Sequence, residues 1–245
     1  MRNLIVRPAT LFDVPRLAVL NRAAYPDLIE DGVVFDEAQL SAHVRAFSRG
    51  QLVAEQDGQL LGALASFVPP RQIDPLRQHT WSGITDGGLF SRHDASGHTL
   101  YLADIYIDPQ YWGHGVSKVL YAALRDLCRE LRLDRIVAGG RLWGYVDVAQ
   151  RMNPYQYVDA VLRGELRDRV LQSQLREGYV VRGLLRRYLH DWRSLSWATL
   201  LEWSNPDRGL SADIVHRDRN ADGAGPHGPR VELPTMSGSA PLRTS

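Results

Sequence analysis

Apolar residues recur along the chain in two rhythms, every second position and every third or fourth, and their succession predicts an α/β fold. Residues 5–7 form a short run led by the β-branched Ile5 and Val6 and followed by Pro8, which reads as an edge strand. Asp13 stands where it would cap a first helix, with Pro15 in the opening turn and Leu17, Leu20 and Asn21 at helical spacing. Asp36 caps a second helix, Glu37–Phe47, with Leu40, Val44 and Phe47 on one side. Residues 51–55 and 59–67 flank Asp57-Gly58, a two-residue turn that predicts a hairpin. Thr99–Ile107 alternates strictly, so Leu100, Leu102, Asp104 and Tyr106 are expected on one face of a strand. Tyr101, Ala103, Ile105 and Ile107 are expected on the other.

A helix over 119–131 gathers Leu120, Ala123, Leu124, Leu127 and Leu131 into a stripe. Cys128 lies beside it and reads as a packed thiol, not a nucleophile. The next strand, 134–138, is expected to end at Gly139-Gly140. Residues 142–164 are aromatic and irregular, 165–176 form a helix stopped by Gly178, and Val180–Leu185 and 196–203 are two last strands. The long polar stretch 69–97, anchored by Trp81 and Phe90, reads as a functional loop or cover. Beyond residue 204 small, polar and turn-forming residues take over, so residues 1–204 are expected to be one domain and 205–245 a disordered tail.

Composition narrows the classes. At 245 residues and 44% hydrophobic the chain can bury a core. A net charge of +1 gives no basic bias toward nucleic acid, and no apolar run is long enough for a membrane span. The first residues lack a signal peptide's apolar stretch, and one cysteine excludes an internal disulfide, so a soluble cytoplasmic protein is expected. Lys118 is the sole lysine. No His, Asp and Glu fall at metal-ligand spacing on one element, so no metal is expected.

The chemistry concentrates in Asp108-Pro-Gln-Tyr-Trp-Gly-His-Gly-Val-Ser-Lys118, a strand end, a glycine-rich turn and a helix start. Gly113 and Gly115 permit a tight turn whose helix-terminal amides suit an anion. The order Gly115-Val-Ser-Lys118 is not the Walker pattern, and the third glycine of the dinucleotide fingerprint is absent.

That stretch resembles the acidic-Pro segment and glycine turn of the Gcn5-related N-acetyltransferase (GNAT) superfamily. The opening Ile5-Val-Arg-Pro-Ala-Thr-Leu-Phe-Asp-Val14 and the later Leu175-Arg-Glu-Gly-Tyr-Val180 resemble the superfamily's flanks. Ile84-Thr-Asp-Gly-Gly88, Arg135-Ile-Val-Ala-Gly-Gly-Arg141 and Ala198-Thr-Leu-Leu-Glu-Trp203 are similar to the acyltransferase half of proteins that fuse this fold to a nitrilase-type amidohydrolase. The resemblance implies a mixed central sheet of about seven strands flanked by helices, with the fourth and fifth strands splayed.

It also implies an acyl-CoA or acyl-phosphopantetheine donor. Gly113, His114, Gly115, Val116, Ser117 and Lys118 would hold the phosphates, and Ile105, Tyr106 and Ile107 would pair with the pantetheine amides. Trp112 stands where the family usually has arginine, which is consistent with a carrier-protein arm that has one phosphodiester. The usual glutamate and tyrosine of peptide-acetylating relatives are replaced by Ala138-Gly139 and Gln174. Asp104, Tyr145 and His190 are the candidate catalytic groups, with Tyr157 as a second phenol, and Glu30 and Asp31 are candidates to contact a cationic acceptor.

The function expected is N-acyl transfer from a pantetheine thioester to an amine, on a small molecule or a peptide N-terminus, by direct attack in a ternary complex. Segments 69–97 and 142–164 suggest room for a longer acyl chain. An acyl carrier protein is a possible partner, and the oligomeric state is open. The alternatives are an ordinary acetyl-CoA-dependent acetyltransferase and a binding module that holds the thioester without turnover.

Overall fold

The computed structural model describes residues 4–26, 28 and 34–208. Seven strands form one sheet: β1 (Ile5–Pro8), β2 (Gln51–Gln56), β3 (Gln59–Phe67), β4 (Thr99–Ile107), β5 (Arg135–Arg141), β6 (Val180–Leu185) and β7 (Ala198–Ser204). Their order is β1-β2-β3-β4-β5-β7-β6, and β4 and β5 are the parallel pair in an otherwise antiparallel sheet. Helices α1 (Val14–Ala24), α2 (Glu37–Phe47) and the short α3 (Trp81–Thr85) are followed by α4 (Val116–Glu130), α5 (Pro154–Leu162) and α6 (Arg169–Arg176).

Two apolar layers sandwich the sheet. On one face Leu120, Leu124 and Leu127 of α4 meet Leu100, Leu102 and Ile136. On the other, Leu17 and Leu20 of α1 and Leu40 of α2 pack with Val53, Phe67 and Tyr101. Trp81 and Phe90 are buried in that second layer, so segment 69–97 is a packed flap.

The strict alternation expected along β4 fails at one residue. Ser66 pairs with Leu102 and Ala65 with Asp104, which leaves Ala103 as the extra residue of a β-bulge. Beyond it the faces exchange: Ile105 and Ile107 pack with Leu100 and Leu102 on the α4 side, and Tyr106 joins Tyr101 on the α1 side. Pairing between β4 and β5 stops at the same place, running from Thr99 with Arg135 to Leu102 with Ala138. Past that point the two strands diverge.

Several boundaries differ from expectation. The hairpin closes as predicted, with Asp57 and Gly58 both at positive φ, 49° and 81°. Helix α4 starts at Val116, three residues before 119, because Gly115 at φ 82° turns the chain into it. Strand β5 runs through Gly139 and Gly140 to Arg141 because β7 pairs with every one of its residues. Within 142–164 lies α5, opened by a reciprocal cap between Asn153 and Gln156. The following helix begins at Arg169, where Asp168 accepts the amides of Val170 and Leu171 at 2.9 Å each. Asn205 is still buried, its Nδ2 donating to Leu133 O at 2.7 Å. The expected tail past Arg208, and Glu30 and Asp31, lie outside the described residues.

Asp13 does not cap α1 through its side chain. Its carboxylate instead accepts two bonds from Arg7 (2.8 and 2.9 Å), one from Arg16 (2.5 Å) and two from Thr10 (2.8 and 2.9 Å). Arg7 also pairs with Glu55, so the knot ties β1, β2 and the start of α1 together. The Arg7 guanidinium holds the Asp13 carboxyl well below the usual carboxylate range. Asp13→Asn is expected to lower stability by about 2 kcal/mol at pH 7, a value discounted for the 31% exposure of Arg7. A depressed folded pKa contributes stability above the unfolded value near 4 and loses it as the pH falls toward the folded one. The gap between wild type and variant in urea unfolding should therefore be full at pH 7 and shrink steadily below about pH 4.

Candidate active site

Divergence of β4 from β5 leaves backbone without strand partners, and side chains take up the carbonyls. Ala103 O accepts from Trp81 Nε1 at 3.1 Å, Ile105 O from the Tyr25 hydroxyl at 3.0 Å, and Ile107 O from Trp112 Nε1 at 3.1 Å. The gap between the strands opens into a cavity of about 520 Å³. Ile105, Tyr106 and Ile107 form one wall and Ala138 and Gly139 the other.

At one end stands the glycine turn. Asp108 Oδ1 accepts the Gln110 amide at 2.9 Å and sets the bend, and Gly113 and Gly115 sit at φ 78° and 82°. No atom lies within 4 Å of where a Cβ would project from either glycine, so the turn faces open space. The first amides of α4 have no side-chain cap and are left for an anion. Gly113, Gly115, Val116 and Ser117 line the cavity; His114 and Lys118 are exposed and lie outside its lining. These residues fit a thioester donor whose phosphates rest on the turn and whose arm follows β4.

Trp112 in the turn is covered by a guanidinium from α6. The Arg169 guanidinium stacks on Trp112 at 4.6 Å and on Trp143 at 3.9 Å, and Arg169 lines the cavity. Arg193 continues the stack, 4.3 Å from Trp143 and 4.5 Å from Trp192. No sequence signal pairs Arg169 with Trp112, since 57 positions separate them (169 − 112).

At the other end is Asp104. Its carboxylate accepts from the Tyr25 hydroxyl at 2.6 Å and from Asn21 Nδ2 at 3.2 Å, both on or just past α1. Burial pushes the Asp104 carboxyl up to about 6, against the pull of those two bonds and of the nearby Arg141 charge. Asn21 is fixed in turn, because its Oδ1 accepts the Phe35 amide at 2.9 Å.

The other two catalytic candidates stand elsewhere. Tyr145 is buried against Tyr157 with its hydroxyl toward Met152 O at 3.3 Å, and it does not line the cavity. Tyr157 donates to Asp168 at 2.9 Å. His190 is exposed in the β6–β7 connection and also outside the lining. Gly139, near where relatives carry a glutamate, has no room for a side chain: a Cβ there would lie 2.2 Å from Cζ of Tyr188. Tyr25, Tyr121, Arg141, Arg169 and Tyr188 line the cavity and were not singled out from the sequence. Cys128 is fully buried, with burial pushing its thiol up to about 12, so it is a packed group. Among the described residues no cluster of His, Cys, Asp and Glu could hold a metal ion, and no helix is long and apolar enough to cross a membrane.

Comparison with known proteins gives a consistent picture. The acetyltransferase (GNAT) family model matches residues 15–145. The uncharacterized N-acetyltransferase YkwB of Bacillus subtilis (strain 168) is 33% identical over 202 residues, covering 82% of this chain and 89% of that protein. The probable hydrolase YhcX of the same organism is 30% identical over 208 residues, 84% of this chain and 39% of the hydrolase. The chain thus matches well under half of that larger protein, in keeping with a relationship to a GNAT–hydrolase fusion. Among solved structures, the loading GNATL domain of CurA from Lyngbya majuscula superposes with a TM-score of 0.70 at 18% identity, covering 84% of this chain and 100% of that domain. The GphF GNAT-like decarboxylase in complex with isobutyryl-CoA gives 0.66 at 22% identity, covering 82% and 99%. At those identities the likeness is one of fold.

The Tyr25 bond favours the charged form of Asp104, so removing it should raise the acid's pKa above its present value near 6. Tyr25→Phe is expected to raise it by about one unit, the size of one charge-assisted hydrogen bond. A carboxyl-carbon NMR titration measures this directly, and an unchanged or lowered midpoint would contradict the assigned cause.

Proposed function

The chain belongs to the GNAT acetyltransferase family and is an acyltransferase; from that premise we propose that it moves an acyl group from a pantetheine thioester to an amine by direct attack in a ternary complex. One observation carries the reading: the cavity between β4 and β5 joins an anion-ready helix start to a carboxyl whose pKa is near 6. The donor, acyl-CoA or an acyl-phosphopantetheine arm on a carrier protein, supplies an electrophilic thioester carbonyl. The amides of the Gly113–Ser117 turn hold its phosphates, with Lys118 and His114 in the outer field. Arg169 supplies the guanidinium that Trp112 does not, so a full CoA is accommodated as readily as a carrier arm.

In the proposed sequence, Asp104 takes a proton from the incoming ammonium, and the neutral amine attacks the carbonyl carbon. The new C–N bond forms as the C–S bond breaks. The nitrogen's second proton goes to sulfur, so amide and thiol are the products, and Asp104 returns its proton to solvent. Tyr121 lines the cavity, and burial keeps its phenol protonated, which suits it to relay that proton, giving its own to the departing sulfur and taking the nitrogen's in return. Asp104 is retained as the base, while Tyr145 and His190 are given no part. The inner end, with Asp104, Arg141 and two tyrosines, suits a short or polar acyl group better than a long aliphatic chain. The acceptor is a small-molecule amine or a peptide N-terminus.

Amine-dependent thiol release from acetyl-CoA, long-chain acyl-CoA and acyl-carrier protein tests the reading. Because the base must be ionised, kcat/KM should rise with pH through about 6 in the wild type. Asp104→Asn is expected to lose that limb and fall by about 10²- to 10⁴-fold. Tight thioester binding with no amine-dependent release from any donor would instead indicate a binding module.

A second outcome concerns the donor grip. Arg169→Gln is expected to weaken CoA binding by about tenfold, and to leave the KM for an acyl-N-acetylcysteamine thioester, which has no phosphate, nearly unchanged. Equal loss for both donors would place Arg169 in a purely structural role.

A further inference from the structure

Arg141 ends β5 just past the point where that strand parts from β4, and it lines the inner end of the cavity near Asp104. Its side chain is 14% exposed. A guanidinium taken that far out of water needs its five N–H donors engaged, and elsewhere in this protein such donors are spent on carboxylates. Arg7 gives two bonds to Asp13 and more to Glu55, and Arg135 and Arg182 share Glu202. Arg141 differs. Its ion pair with Asp191 is long, Nε to Oδ2 at 3.6 Å, and Asp191 also accepts the amides of Arg193 and Ser194 at 3.1 and 3.3 Å. One face of the guanidinium lies 5.7 Å from the Tyr25 ring, and Nη1 is buried with no hydrogen-bond partner among the described residues.

We propose that Arg141 forms a carboxylate subsite, so that one of the two substrates carries a carboxylate that this guanidinium receives beside the reacting centre. The inference rests on the acyltransferase reading and deepens it by naming a substrate class. A carboxylate matches the site in charge and shape: it is planar, singly charged and able to take two parallel N–H bonds. A phosphate dianion beside the Asp104 carboxyl would add repulsion that one guanidinium does not offset, and the phosphate seat already lies at the turn around Gly113 and Gly115. Asp191 and the Tyr25 ring hold the guanidinium in place from the side and the face, so the geometry is set before the ligand arrives. The carboxylate belongs either to the acyl group, as in a dicarboxylic monothioester, or to the acceptor, as in an amino acid.

Paired ligands that differ in the carboxylate alone separate these sources. In the donor arm, succinyl-CoA is titrated against its terminal carboxamide, following tryptophan fluorescence. In the acceptor arm, ω-amino acids are titrated against their amides with CoA present, at pH 7 where the amines of both are protonated. The wild type should prefer the carboxylate by about tenfold or more in one arm, and that arm identifies its source. In Arg141→Gln the ratio should fall to about one, with Arg141→Lys intermediate. Because the readout is a ratio within each protein, a general weakening of the variant does not mimic the result. A ratio near one in both arms of the wild type, with CoA itself bound, overturns the subsite and leaves the donor reading standing. A preference that survives in Arg141→Gln overturns the assignment to Arg141. Failure of the wild type to bind CoA overturns the donor reading and the subsite with it.

Discussion

A strand that leaves its neighbour part-way must find other partners for its backbone, and that requirement organises this protein. β4 pairs with β5 only as far as Leu102 and Ala138. The carbonyls that follow are claimed by an indole from the 69–97 flap, a phenol from the end of α1 and an indole from the glycine turn. Three separate segments are thereby drawn to one edge, and the cavity is what remains between them and β5. The flap, which looks like an accessory in sequence, is one of the supports that keep the gap open.

The same supports set the electrostatics. Tyr25 meets both the Ile105 carbonyl and the Asp104 carboxylate, so one hydroxyl fixes the strand edge and tunes the acid. Its ring also faces the Arg141 guanidinium. Desolvation raises the Asp104 pKa while Tyr25, Asn21 and Arg141 lower it, and the balance rests near 6 because burial outweighs the bonds. At the other end the α4 amides, the open glycine turn and the Arg169–Trp112 stack make an environment for anions. One cavity thus presents opposite preferences at its two ends.

Elements fixed by local chemistry were readable from residues alone. The Asp57-Gly58 turn, the cap that Asp36 places on α2, and the ends of β3 and β4 follow from short-range rules and occur as those rules predict. Helix α5 carried a legible signal, Asn153-Pro154 with Gln156, hidden among aromatic residues that read as irregular. Gly139-Gly140 suggested a strand end, yet pairing with β7 overrode the local preference and carried β5 on to Arg141. In the site, the glycine turn and Asp104 were legible; Tyr25, Arg141 and Arg169 were not. Each lies far along the chain from the groups it serves, and neither periodicity nor spacing encodes such meetings.

The bulge at Ala103 acts as a frameshift in the strand's inside-outside code. Upstream and downstream of it, odd and even positions exchange their tolerance for polar side chains, although no glycine or proline marks the join. Paired without the bulge but with every residue kept, the strand would set Asp104 opposite Leu64, swinging its carboxyl from the α1 side toward the apolar α4 layer and carrying Ile105 and Ile107 the other way. Core and chemistry are therefore written in the same phase. The bulge and the extra residue go together: loss of Ala103 itself would leave Leu102 opposite Ser66 and Asp104 opposite Ala65, with core and chemistry on the faces they now hold.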